Sequence, residues 1–191
     1  KYFLKDKKVS FDNKELKGKR KIEEYCRVRP PENEISSFLG FVDNYWIAFS
    51  ENIDEIKNYL SIEVDKQPAM MYRNKSGGNL LFRPIGQRPF VLCALALFDK
   101  TRNMKTTMQT MNKINFEIDS DIWKFIVWNP INKKMITSSN GALIEYMLKY
   151  FSGIELSDKE MLKMEEDFKG MKGDENLTND DIFEILSRYK V

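Results

Sequence analysis

The sequence predicts a mainly helical domain, residues 35–191, behind a basic N-terminal arm, residues 1–34. Three observations carry this. Apolar residues recur at helical spacing through most of the chain after Pro30-Pro31. Asn52, Ser157 and Thr178 each stand three residues ahead of an acidic residue, the pattern of a capping box at a helix start. Strand-like alternation is weak and confined to short pieces of the first 29 residues, "VSF" and "YCRVR".

Taken in order, residues 1–29 read as short strands or an irregular basic arm, broken by Lys-rich turns such as "KELKGKRK". Pro30-Pro31 is a break, because proline disfavours helix at the residue before it. Residues 35–49 place Phe38, Leu39, Val42, Trp46 and Phe49 on one side of a helix. The Asn52–Glu55 box opens a short amphipathic helix carrying Ile53, Ile56 and Leu60. Ser61 to Ser76 reads as loop, with a short extended piece at Ala69–Tyr72.

Gly77-Gly78 permits backbone conformations closed to other residues. Leu80-Leu81-Phe82 is then a short strand or the last extended residues before a helix. Pro84 stands where helix starts favour proline. From Ile85 to Phe98 the chain is apolar on all sides, so this helix is central and buried, with Pro89 in its first turn or bending it. Met104, Met108, Met111 and Ile114 share a face expected in the core, where thioethers fill irregular gaps.

"DSDIWKFIVWNP" reads as a short helix starting after Asp119 or Ser120, with Trp123 and Trp128 buried and Pro130 as its end. A clear amphipathic helix starts at Asn140 and stops at Gly153. The Ser157–Glu160 box starts another, ending near Gly170. The weaker Thr178–Asp181 box starts the last, with Ile182, Phe183, Leu186 and Tyr189.

Composition narrows the chemistry. With 42% apolar and 31% charged residues the chain matches ordinary globular proteins. Its longest apolar run, Phe90 to Phe98, is about half what a membrane span needs. The N-terminus "KYFLKDKK" is charged, unlike a signal peptide, and its lack of an initiator Met suggests a fragment or a trimmed chain. Cys26 and Cys93 lie far apart, and Cys93 sits in an apolar run, so a cytoplasmic protein with a buried thiol and no disulfide is expected.

The 191 residues include no histidine. That excludes a His general base, a Ser-His-Asp triad, a Cys-His pair and any His-containing zinc site. Two cysteines cannot build a zinc site unaided. Asp119 and Asp121 are better explained by capping than by a metal. An enzyme would need a carboxylate or Lys site, and no such constellation stands out. No cofactor and no metal are expected.

Net charge is only +2 but is unevenly spread. Residues 1–29 carry eleven Lys/Arg against five Asp/Glu, residues 64–113 nine against two, and residues 151–191 six against eleven. Within the second block, Arg73, Lys75, Arg83 and Arg88 surround "SGGNLLFRPIGQ". Gly77, Gly78 and Asn79 could cradle a phosphate through backbone N–H groups, though no P-loop pattern exists. Together with Lys100, Arg102 and Lys105 these residues form the candidate anion-binding set. For Arg83 the alternative is a buried salt bridge that locks the loop. Tyr25, Tyr45, Tyr72 and Trp46 are candidates for base stacking, although Trp46 fits packing better.

"GGNLLFRPIGQ" and the apolar helix after it, "DIWKFIVWNPINKKMI", "NGALIEYMLKYFSG" and "FVDNYWIAFSENIDEI" together resemble the C-terminal half of DGQHR-domain proteins, the group that includes the DNA sulfur-modification protein DndB. The resemblance covers about residues 38–170. The Asp-Gly-Gln-His-Arg signature is absent, so the resemblance implies a helical portion without the motif-bearing half. It also implies a link to phosphorothioate DNA modification, transcription regulation and phage defence. The expected function is a non-enzymatic accessory or regulatory module that contacts DNA phosphates. The alternative is a protein-interaction module, in which the acidic tail and Met-rich helix mediate self-association or docking to a modification-complex partner.

Overall fold

A computed structural model describes residues 10–11, 14–15, 17–27, 31–75, 77–136, 141–173 and 176–191. The chain is mainly helical and divides into two units, Lys1–Ile47 and Ala48–Val191.

In the first unit, β1 (Ser10–Phe11) pairs antiparallel with β2 (Lys14–Glu15). The stretch that follows, expected as strand or irregular arm, is helix α1 (Gly18–Arg27). Its charges are spaced for helical pairing, Lys19 with Glu23 at 3.4 Å and Arg27 with Glu24 at 2.9 Å, which local alternation in "YCRVR" conceals. The Tyr25 hydroxyl donates to Glu34 Oε2 at 3.0 Å, tying α1 to α2 (Glu32–Asn52). Helix α2 runs without interruption past residue 34, where the arm was expected to end. Pro30 lies outside the described residues. Phe38, Leu39 and Trp46, expected on the inner face of this helix, are exposed.

The second unit holds the core. Asn52 is the last residue of α2, not a cap, and its Nδ2 donates back to Ala48 O at 2.9 Å. Ile53 is fully buried, so the chain enters α3 (Asp54–Ser61) through the interior. The cap comes from far along the sequence: Asn112 Oδ1 accepts from the Asp54 N–H at 2.8 Å, and Asn112 Nδ2 donates to Asp54 Oδ2 at 2.9 Å. A 3₁₀ turn (Val64–Lys66) follows. The piece expected to be extended is a single helical turn, α4 (Ala69–Tyr72), started by Pro68 at φ −56°.

Leu80–Phe82 form a 3₁₀ turn, not a strand, because Asn79 Oδ1 accepts the Leu81 N–H at 2.9 Å and closes it. Helix α5 (Pro84–Thr101) starts on Pro84 and buries Gly86, Pro89, Phe90, Cys93, Ala94 and Leu97. It packs on α6 (Met104–Met111). Met104, Met108, Met111 and Ile114 are all buried, so the methionine face is core. Cys93 lies against Met111 Sδ at 3.7 Å and Ser152 Oγ at 3.5 Å, and burial pushes its thiol up to about 12. Cys26 and Cys93 are both free.

Trp123 and Trp128 are buried, yet residues 118–127 form consecutive turns, not a helix. Ile118, Ile122, Trp123, Ile126 and Val127 are all buried, and one helix face cannot hide so many. Instead the Trp123 carbonyl accepts from the N–H groups of Ile126, Val127 and Trp128. The chain then forms a hairpin of β3 (Trp128–Asn129) and β4 (Lys134–Met135), with Pro130 in its turn.

Helix α7 (Gly141–Phe151) packs on α5 and stops at Gly153, φ +75°, while Asn140 lies outside the described residues. Helix α8 (Asp158–Lys172) carries the Ser157–Glu160 box with both bonds made, and runs past Gly170 to Gly173. Helix α9 (Asn179–Ser187) carries the complete Thr178–Asp181 box.

One lysine joins distant parts of this unit. Lys172 Nζ donates to the carbonyls of Asp121 and Lys124, each at 2.8 Å, and lies 5.4 Å over the Phe168 ring. Burial pulls its pKa down to about 8, from an ordinary 10.5. Between those values the unfolded chain binds more protons than the folded one, so stability rises with pH across that window. Below about 8 both states are charged and the desolvation cost is fully present. The difference in unfolding free energy between wild type and Lys172→Met, from urea titrations, is therefore expected to climb from pH 8 to 10.5. A difference that does not change with pH contradicts this.

Candidate anion-binding site

The site begins at the diglycine turn. Gly77 and Gly78 have φ of +108° and +80°, where residues with a Cβ are strained. This backbone lays the next residues beside residues 116–118. Asn79 N–H donates to Tyr72 O at 2.9 Å, Leu80 N–H to Phe116 O at 2.8 Å, and Ile118 N–H to Gly78 O at 2.8 Å. A Cβ on Gly78 would overlap the Tyr72 carbonyl oxygen, and one on Gly77 would lie 2.9 Å from Ile118 Cγ2. Close backbone approach thus accounts for both glycines.

Two of the three N–H groups of the phosphate cradle expected at Gly77, Gly78 and Asn79 are taken from within. The Gly77 N–H is taken by Asn74 O at 3.2 Å and the Asn79 N–H by Tyr72 O. The Asn79 amide is buried, capping Leu81 and donating to Glu55 Oε1 at 3.3 Å. These three residues shape the loop, and the cationic side chains lie around it.

Arg83 is the residue that the loop holds. Its Nη2 donates to Gly77 O at 2.5 Å. The lock is a carbonyl, not a carboxylate. Its Nε is buried and has no hydrogen-bond partner among the described residues. Burial, and next the charge of Arg73, draw the guanidinium pKa below its ordinary value. Two like charges approach here, and among the described residues neither forms an ion pair.

Arg73, Lys75 and Arg83 line one pocket of about 450 Å³, and two further lysines, Lys133 and Lys134, line it from the β3–β4 hairpin. Met70, Trp128 and Met135 supply apolar wall, and no carboxylate takes part. Among the described residues none of the five cations forms an ion pair. The hairpin turn is shaped by Asn129 Oδ1, which accepts from the N–H groups of Ile131 and Asn132. Lys133 takes φ +50° there, a conformation more usual for Gly or Asn. The carboxylates that reach the diglycine loop, Glu55 and Glu117, engage Asn79 and Tyr72 instead; burial raises the Glu117 carboxyl, and the Asp119 and Glu55 charges add to it.

The remaining candidates lie elsewhere. Arg88 lines a separate concavity of about 480 Å³ between α5 and α7, which Glu145 also lines. Lys100 is seventeen residues beyond Arg83, so it stands roughly 26 Å along the helix axis. Arg102 caps α5 and sits 3.9 Å from Asp99, and Lys105 is exposed in the first turn of α6. The basic block therefore divides: Arg73, Lys75 and Arg83 converge, while Arg88, Lys100, Arg102 and Lys105 do not. Lys133 and Lys134 escaped the sequence reading because they lie some fifty residues from Arg83; adjacent lysines after a Pro-containing turn were the only signal.

The aromatic candidates lie away from this pocket's lining, and Trp46, expected in packing, is exposed. Tyr72 stacks on Phe82 at 4.2 Å and meets Tyr59 edge-on, and Trp46 meets Tyr45 edge-on. Asp121 pairs with Lys124 at 2.8 Å, and no group of three His, Cys, Asp or Glu suited to a metal occurs among the described residues. No described helix is long and apolar enough to cross a membrane. No family model, curated protein or solved structure matches the chain.

Proposed function

We propose that this chain is a non-enzymatic, DNA-associated accessory or regulatory module that holds phosphate through the pocket between the diglycine loop and the β3–β4 hairpin. The observation that carries the reading is the convergence of Arg73, Lys75, Arg83, Lys133 and Lys134 with no carboxylate among them. Keeping such like charges together is unfavourable unless an anion arrives. The resemblance to DGQHR-domain proteins points the same way, toward a cytoplasmic DNA-modification or phage-defence system of the phosphorothioation kind. Phosphate contacts position a protein without reading sequence, so affinity is expected to vary little between DNA sequences.

Salt dependence tests this. The slope of log K against log salt is expected between about −0.9, for one phosphate shared by all five cations, and about −4.5, for one phosphate each, the latter about a 500-fold loss of duplex affinity between 50 and 200 mM salt. Fluorescence anisotropy with a labelled duplex measures it. Affinity that stays level across that range removes the case for DNA.

A second reading has its own observation. Leu60, Val64, Met70 and Met71 are exposed along residues 60–71, as on a protein-contacting surface. The methionines of α6 are buried and offer no such surface. Sedimentation showing concentration-dependent mass, together with no retention on DNA, favours this second reading.

A further inference from the structure

Resting on the phosphate-binding reading, we infer that the pocket receives the terminal phosphate of a nucleic-acid strand, a phosphomonoester with its nucleoside attached, in preference to internal phosphodiesters. The first reason is shape. The five cations line one open depression of about 450 Å³, comparable in volume to a small-molecule site. A duplex backbone is tracked by charges spread along a surface, yet the next cations of the basic block stand apart on α5 and α6, one of them beside Asp99.

The second reason is charge. A phosphomonoester carries about −1.5 to −2 and three acceptor oxygens, whereas an internal diester carries about −1 and two. Five cations without a carboxylate suit the denser anion. Arg83 is already oriented by Gly77 O, and Arg73 is close enough to lower its pKa. A group with three oxygens can accept from both guanidinium groups and a lysine at once.

The third reason is the wall. Met70, Trp128 and Met135 line the same pocket as the cations. A free inorganic phosphate has nothing to place against them. A terminal nucleotide has a sugar and a base there.

The test uses the whole chain and short duplexes of one sequence that differ only at their ends: 5′-phosphate, 3′-phosphate, or hydroxyl at both, with a closed circle as the substrate without ends. One phosphorylated end is expected to bind at least about tenfold tighter than the hydroxyl duplex and the circle. Which end does so identifies the source of the phosphate. The matching nucleoside monophosphate is expected to compete, and the nucleoside and inorganic phosphate to compete far less. Lys75→Ala with Lys134→Ala, both at exposed positions, is expected to erase the end preference while the far-ultraviolet dichroism stays unchanged. Equal affinity for all four DNAs overturns the end-specific inference and leaves backbone binding standing. Absence of binding to any DNA overturns both. An end preference that survives in the folded double variant places the end site elsewhere and also overturns the inference.

Discussion

Gly86→Ala is expected to destabilise the second unit by about 3 kcal/mol or more, in the range where overpacking forces the backbone to move. Ordinarily alanine gains about 1 kcal/mol over glycine inside a helix. Here an added Cβ would overlap the Leu80 carbonyl oxygen and stand 2.5 Å from Leu80 Cγ. Neither partner can retreat. Leu80 is fully buried, its N–H is held by Phe116 O, and its carbonyl accepts from the Arg83 N–H. Helix α5 is fixed by its central packing on α6 and α7. Gly170→Ala is the matched control, since nothing lies within 4 Å of its Cβ position in α8. It is expected to raise stability by roughly 0.5–1 kcal/mol. Urea denaturation of the two variants reads opposite signs from one chemical change. A Gly86→Ala protein with wild-type stability contradicts the packing of α5 on the Leu80–Phe82 turn.

Lys133→Asn combined with Lys134→Ala is expected to weaken duplex DNA binding by up to about sixtyfold at 0.1 M salt and to make the salt slope shallower by up to about 1.8, the effect of losing two separate phosphate contacts. Asn at position 133 removes the charge but keeps a residue that tolerates the positive φ of the turn. Both positions are exposed, so the fold is expected to stay intact. Lys100→Ala with Lys105→Ala changes net charge by the same amount, away from the pocket. It is expected to cost less than about threefold, well under 1 kcal/mol. Equal losses in the two double variants, measured by anisotropy over a salt series, show diffuse attraction and contradict a localised site.

Several elements were legible because they depend on neighbours three or four residues away. Ser157 with Glu160 and Thr178 with Asp181 close their caps within one turn. Pro84 starts α5 for a reason internal to the first turn, its fixed φ and missing N–H. The spacing of Met104, Met108 and Met111 places them on one face whatever lies opposite. Other elements were misread where distant contacts overrode the local pattern. Asn52 had the spacing of a cap, but burial of Ile53 brought Asp54 to Asn112 instead. The run 118–127 had helical spacing but too many apolar residues for one face.

Sequence alone determined the chemical limits of this protein: no imidazole, too few thiols to build a zinc site unaided, a positive block around a diglycine, and the capped starts of α8 and α9, which follow from local spacing. Only the tertiary structure decided where those charges go. Charge repels over about 10 Å in ordinary salt, a distance that sequence order does not measure. Folding separated Arg88, Lys100, Arg102 and Lys105 from the loop they adjoin in sequence, and brought Lys133 and Lys134 to Arg73, Lys75 and Arg83 in one cavity.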